Sequence, residues 1–193
     1  TIAGGAGTDV LTFSNAETVV DADFTNVTSV ETYDSFAGAS TITLGPLATA
    51  AGIVTLNTGG TAASTVTIPA THTGDLVVTS EVAAETIAAA ATYAGKLTVS
   101  FDIDNQTSDT LTGGAGTSDT LIITGDAANG DTALAAGDLD SVTLFEVIQL
   151  GSNVDLGVTT DVTTVGTGKS LSITNASQTS AVATIDVSAE TDT

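Results

Sequence analysis

The residues best placed to do chemistry lie in one short phrase, Gly4-Gly5-Ala6-Gly7-Thr8-Asp9-Val10-Leu11-Thr12, which fits the pattern G-G-x-G-x-D-x-U-x position by position. Glycine at these positions permits the positive φ angles of a tight turn and leaves backbone carbonyls uncovered, and the Asp adds a hard anionic oxygen. A calcium ion takes roughly six to eight such oxygens, of which one turn supplies about three, so a facing turn has to complete the shell. The other reading of the same residues is a turn that keeps glycine for backbone reasons and binds nothing. A near copy stands just past mid-chain, Gly113-Gly114-Ala115-Gly116-Thr117-Ser118-Asp119-Thr120-Leu121, with Ser118 as an extra residue.

Other acids could add to such sites. Asp102-Ile103-Asp104-Asn105 puts two carboxylates on one face of a strand, close in sequence to Asp109. Asp21-Ala22-Asp23 and Asp138-Leu139-Asp140 repeat that spacing, and Asp126 and Asp131 flank a turn at Asn129-Gly130. Each of these pairs reads equally well as a solvated acidic face. His72 is the single histidine and there is no cysteine. That excludes a zinc constellation built on His and Cys and leaves no Ser-His-Asp arrangement beyond coincidence; His72 reads as a surface turn residue. Two lysines, Lys96 and Lys169, sit at equivalent turns and do not read as activated amines. Paired carboxylates serve glycosidases, but acids scattered over turns in a chain with 4% aromatics do not suggest one, so the expectation is a protein that is not an enzyme.

The elements that would position these turns form a repeat. Each glycine phrase leads into an apolar run and then a second shared phrase, Asp23 to Glu31 (DFTNVTSVE) and Asp138 to Glu146 (DLDSVTLFE). Two phrases in one order imply a duplication, with a first repeat over 1–109 and a shorter second over 110–193. Thr191-Asp192-Thr193 resembles the lead-in to a third phrase, which suggests a longer repetitive parent chain. Apolar segments begin at Ile42, Val54, Val66, Leu76, Ile87 and Leu97, with Thr alternating inside them, the period-two sign of half-buried strands. A turn phrase recurs as Gly74-Asp75-Leu76, Gly95-Lys96-Leu97 and Gly168-Lys169-Ser170-Leu171. The first two are one double strand interval apart, so the predicted fold is all-β, a parallel β-solenoid with two strands per coil of about 21 residues. About nine coils at the ordinary strand spacing would stack to about 43 Å. The competing architecture is a set of tandem antiparallel β-sandwich modules. Residues 81–94 are rich in helix formers but fit the recurring turn phrase, and read as a loosely packed coil edge.

Composition narrows the partners. Two basic residues against 23 acidic ones give a net charge of -21, which repels nucleic acid and anionic membranes. A hydrophobic fraction of 41% places the chain among folded rather than disordered proteins. No apolar run of spanning length is present, so no membrane insertion is expected, and Thr1-Ile2-Ala3 is not a signal peptide, so any export signal lies outside this segment.

On these residues the chain resembles the calcium-binding RTX repeats of secreted bacterial proteins, and more closely the Thr/Ala-rich, glycine-aspartate-punctuated repeats of bacterial surface-layer proteins and large adhesins. The specific likeness covers residues 4–12 and, imperfectly, 113–121. The resemblance implies Ca2+ as cofactor, with Gly5, Gly7 and Asp9 as one ligand set and Asp109, Gly114, Gly116 and Asp119 as a second, supplemented by Asp102 and Asp104. It also implies an extracellular, cell-surface structural protein that associates with itself in a lattice or filament and meets cell-surface polysaccharide. Alternatives are the stalk of a large adhesin and an ice-binding solenoid, the latter from Thr41-Ile42-Thr43 and Thr65-Val66-Thr67, although a spacing of 10 to 12 residues is irregular for an ordered ladder.

Overall fold

The computed structural model of the chain describes residues 1–35, 38–58, 62–80, 84–102, 109–124, 139, 141–151, 156–159, 170, 172–175 and 183–186. Its strands are β1 (Ile2–Ala3), β2 (Val10–Thr12), β3 (Thr18–Val19), β4 (Val27–Thr28), β5 (Thr32–Asp34), β6 (Thr41–Thr43), β7 (Thr55–Asn57), β8 (Thr65–Ile68) and β9 (Leu76–Thr79). They continue with β10 (Thr86–Ala89), β11 (Leu97–Asp102), β12 (Thr110–Thr112), β13 (Thr120–Thr124), β14 (Val142–Thr143), β15 (Val147–Leu150), β16 (Leu156–Thr159), β17 (Ser172–Asn175) and β18 (Ala183–Asp186). One short helix, α1 (Pro46–Ala51), and a 3-10 turn at Asp21–Phe24 complete the set among the described residues.

Among the described residues every strand pairing is parallel, and strands alternate between two sheets as the chain winds. One sheet stacks eight strands in the order β17-β15-β13-β11-β9-β7-β5-β2, the other six in the order β14-β12-β10-β8-β6-β3. This is a parallel β-solenoid, and the all-parallel ladder sets the antiparallel sandwich aside. The solenoid winds about five turns, fewer than the nine or so coils that the spacing of the apolar segments predicts. The ladder crosses residue 110 without a break, because β10 pairs with β12 and β11 with β13.

Period-two alternation sets what faces inward. Ile42, Val66, Ile87, Leu111 and Val142 form one inward row, and Tyr33, Leu56, Val78, Val99, Leu121 and Ile148 another, all essentially inaccessible to solvent. Burying each such side chain contributes about 1.5–3 kcal/mol. With so few aromatics in the chain, β-branched and Leu residues carry this core.

Two local features depart from the sequence reading. The helix-forming stretch does carry a strand, β10, whose Ile87 and Ala89 point inward. Helix α1 arises between β6 and β7, where Pro46 opens it and Gly52, at φ 101°, closes it with its N–H on Ala48 and Thr49 carbonyls. Ala48 and Ala51 are buried on the core side. The Asp21 carboxylate caps the other end, accepting the Leu47 and Ala48 N–H groups at 3.1 and 2.9 Å. Asp23 accepts the Val20 N–H at 2.9 Å, so this acidic pair works on local backbone.

Candidate functional site

The acids of the glycine phrases stand at the corner where each coil enters the eight-stranded sheet. Extending the strand register by one residue lines up Asp9, Glu31, Val54, Leu76, Leu97, Asp119 and Glu146 on successive coils. At this corner an acid reaches back one coil to the backbone of its neighbour. Glu31 Oε2 accepts the Asp9 N–H at 2.9 Å, Asp119 Oδ1 accepts the Leu97 N–H at 2.8 Å, and Glu146 Oε2 accepts the Asp119 N–H at 2.9 Å. The carbonyls are shared as well: Asp9 O takes the Glu31 and Thr32 N–H groups, and Asp119 O those of Glu146 and Val147. Charge-assisted bonds of this kind are the stronger class of hydrogen bond.

The opposite corner, entering the six-stranded sheet, follows the same rule. Ser64 Oγ accepts the Ser40 N–H at 3.2 Å and Asp109 Oδ1 accepts the Glu85 N–H at 2.8 Å. Thr58 in turn donates its hydroxyl to Glu85 Oε2 at 2.5 Å. Glu85 and Asp109 are each 1% exposed. Burial pushes the Glu85 carboxyl up to about 7, against the Thr58 hydrogen bond and with the charge of Asp109 adding to the rise. Burial likewise raises Asp109 to about 6, opposed by the Glu85 N–H.

The two glycine turns use glycine for different physical reasons. Gly5 and Gly7 are exposed and left-handed, at φ 104° and 121°, as the tight-turn reading requires. Gly114 and Gly116 are buried and not left-handed; a Cβ on Gly114 would come within 2.6 Å of Tyr93 O, and one on Gly116 within 2.8 Å of Gly95 O and of Asp119 Oδ1. The extra Ser118 therefore accompanies a turn clamped onto the preceding coil. Gly4 and Gly113 are equivalent, with Cβ positions 1.9 Å from Ser29 O and 2.1 Å from Leu144 O. Ser29 and Leu144 both hold positive φ, 54° and 63°, so the duplicated phrases are duplicated in backbone too.

The expected ligand sets are distributed as follows. Gly114 and Asp119 do meet, through the Gly114 N–H on Asp119 Oδ2 at 2.7 Å, so both oxygens of the fully buried Asp119 carboxylate are engaged by backbone N–H groups. Asp109 stands at the other corner, separated from Asp119 by β12 and the glycine turn. Among the described residues Asp9 Oδ2 and Asp109 Oδ2 are buried carboxylate oxygens with no hydrogen-bond partner, and these two fit a cation better than Asp119 does. Asp102 closes β11, but its side chain, like Asp104, lies outside the described residues, as do Asp126, Asp131, Asp138 and Asp140. Among the described residues no three His, Asp or Glu side chains gather around one point. Glu31, Glu85 and Glu146 are the working acids that site reasoning did not single out; Glu31 and Glu146 were signalled by each ending the second shared phrase.

His72 is fully buried rather than a surface turn residue. Its Nδ1 lies 2.9 Å from Thr49 Oγ1 on α1 and 3.4 Å from Gly45 O, its ring sits 6.0 Å from that of Tyr93, and Nε2 has no partner among the described residues. Burial lowers its pKa, against the Gly45 carbonyl and the charge of Asp21. No helix among the described residues is long and apolar enough to cross a membrane. Compared with known proteins, the chain matches no family model, no curated protein and no solved structure.

Proposed function

We propose that this chain is a length of a non-catalytic structural protein of a bacterial cell surface, a segment of a surface-layer or surface-filament subunit that folds outside the cell. The observation that carries this reading is the use of the acids. Asp119, Glu31, Glu146, Asp109 and Ser64 join coil to coil through the backbone, so the polar chemistry holds a stack together. Calcium enters the same proposal at Asp9 and Asp109, whose unpartnered oxygens would hold the ion and whose buried charge it would neutralise. Because the sites exist only in the folded stack, binding there is folding free energy. The test is a thermal melt followed by circular dichroism in millimolar calcium and in excess chelator, with electron microscopy of both. A large gain in melting temperature with calcium, and ordered sheets or filaments, is the expected result; unchanged melts and featureless particles would end the proposal.

One observation favours a second reading, an ice-binding surface. The irregular segment spacing is absorbed at the corners, and the threonines fall into register: Thr18, Thr41, Thr65, Thr86 and Thr110 form one outward row. Thr43, Thr67, Thr112 and Thr143 form a second row, interrupted by Ala88. Rows of methyl and hydroxyl groups at the strand spacing of about 4.8 Å can order water. A thermal-hysteresis measurement decides it: no hysteresis rejects the reading.

A further inference from the structure

The corner opposite Asp9 and Asp119 carries a buried polar group built by two stacks of side chains. Asn57 pairs with Thr79, so Thr58 stacks on Ser80 where the chain leaves the eight-stranded sheet. Thr86 pairs with Thr110, so Glu85 stacks on Asp109 where it enters the six-stranded one. In-register parallel neighbours of this kind stand about 4.8 Å apart. Thr58, Ser80, Glu85 and Asp109 are 1%, 4%, 1% and 1% exposed. Hydrogen bonds tie the stacks together: the Thr58 hydroxyl donates to Glu85 Oε2 at 2.5 Å, and the Glu85 N–H donates to Asp109 Oδ1 at 2.8 Å. Phe101, itself buried, follows Ser80 in the first stack and ends its run of hydroxyls.

Two oxygens of this group are left over. Asp109 Oδ2 and Ser80 Oγ are both buried without a hydrogen-bond partner among the described residues, although Ser80 lies near enough to the Glu85 carboxyl to favour its ionised form. Two carboxylates stacked in a buried place repel each other, and buried charges are ordinarily paired or bound to a metal. Lys96 is the one Lys or Arg among the described residues, and it is exposed at the opposite corner, just before β11. We propose that Glu85 and Asp109, with the hydroxyl oxygens of Ser80 and Thr58, hold one divalent cation of the calcium type between successive coils. This rests on the calcium of the reading above and gives one of its ions a set of ligands. The donors are all hard oxygens, the two carboxylates balance the charge of the ion, and together the four side chains offer about five of the roughly six to eight oxygens that calcium takes. Thr58 belongs to one coil, Ser80 and Glu85 to the next and Asp109 to the one after, so the ion would fasten three coils at once.

The experiment uses the full 193-residue chain carrying Asp9→Asn, so that the remaining effect of calcium reports this corner. Thermal melts in millimolar calcium and in excess chelator are compared with a calorimetric calcium titration, at a mildly alkaline pH above the raised Glu85 and Asp109 values. The expected result is a chain that melts several degrees higher with calcium. Adding Glu85→Gln, which keeps an acceptor for Thr58, should abolish that gain and remove one ion from the stoichiometry. Adding Ser80→Ala, a smaller change that carries the test if Glu85→Gln fails to fold, should weaken calcium binding by about tenfold or more. A gain and a stoichiometry untouched by both substitutions would overturn the site, as would an Asp9→Asn chain that gains nothing from calcium. Ordered arrays seen by microscopy in either case would leave the structural reading standing. Featureless particles from a wild type whose calcium binding does depend on Glu85 would overturn the structural reading and keep the site.

Discussion

The Glu146 carboxylate accepts the backbone N–H of Asp119 at 2.9 Å, and Glu31 does the same for Asp9 at the same distance. The glycine phrase and the acidic phrase of each repeat are thus two faces of one contact between adjacent coils. What separates the two copies is the state of the aspartate: Asp119 Oδ1 accepts the Leu97 N–H, whereas Asp9 Oδ2 has no hydrogen-bond partner among the described residues.

That difference ranks the two aspartates by stability. Asp119→Ala removes the acceptor for two buried N–H groups, each such bond to a charged group being worth about 1.5–3 kcal/mol, and leaves those donors unsatisfied. Asp9→Ala removes a half-buried carboxylate with one unpartnered oxygen and should cost less than about 1 kcal/mol. Urea denaturation of the two variants checks the order; equal losses would contradict it.

The glycines rank by a different quantity. Gly113→Ala drives a Cβ to within 2.1 Å of Leu144 O on the next coil, so the coils have to part, and a loss above about 3 kcal/mol is expected. Gly5→Ala meets no atom within 4 Å and suffers only from its left-handed backbone, a cost of about 1–2 kcal/mol. Thermal melts of both proteins provide the comparison.

Acidity should stabilise one corner. Glu85 and Asp109 are raised to about 7 and about 6 in the folded protein, so each binds its proton more tightly folded than unfolded. Their contribution is fully present below the ordinary carboxylate range and is lost as pH rises through about 6 and 7. Glu85→Gln keeps an acceptor for Thr58 and removes the charge, so its melting temperature should exceed that of the wild type at pH about 8 and converge with it near pH 5. His72 works in the opposite sense: with its pKa lowered, its stabilising share is present above about 6.5 and lost as pH falls through the depressed value. His72→Phe should flatten the acid limb of the stability profile.

Calcium, if held as proposed, should depend on Asp9 and Asp109 and not on Asp119. Asp9→Asn combined with Asp109→Asn is expected to abolish any calcium-induced rise in melting temperature, while Asp119→Asn lowers the baseline and leaves the rise in place. The reverse pattern would put the ion in the glycine turn that Asp119 closes.

Much of the fold was legible because a solenoid writes its period into sequence. Ile42, Val66, Ile87 and Leu97 each open or centre a strand where the spacing placed one, and the shared phrases proved to be stacked neighbours. The roles of single residues were less legible, because they depend on the coil above or below. His72 sits among Thr and Gly and reads as polar turn, yet α1 of the previous coil covers it through Thr49. Helix α1 carries Pro and Gly at its ends, but its single turn and a half lies inside a strand interval and leaves no periodic trace. For the acids, the sequence offered oxygen and glycine, the makings of a cation turn. The competing customer for carboxylate oxygen, the backbone N–H of a coil about 22 residues away, becomes visible only once register is known.

The parallel ladder also has a mechanical consequence. Each coil is bonded only to the ones before and after it, so a force applied along the stacking axis loads the corner contacts one level at a time. A coil of about 22 residues released in this way adds about 75 Å of slack. Under tension the molecule would therefore lengthen in steps, reeling out one turn while the rest of the stack stays wound.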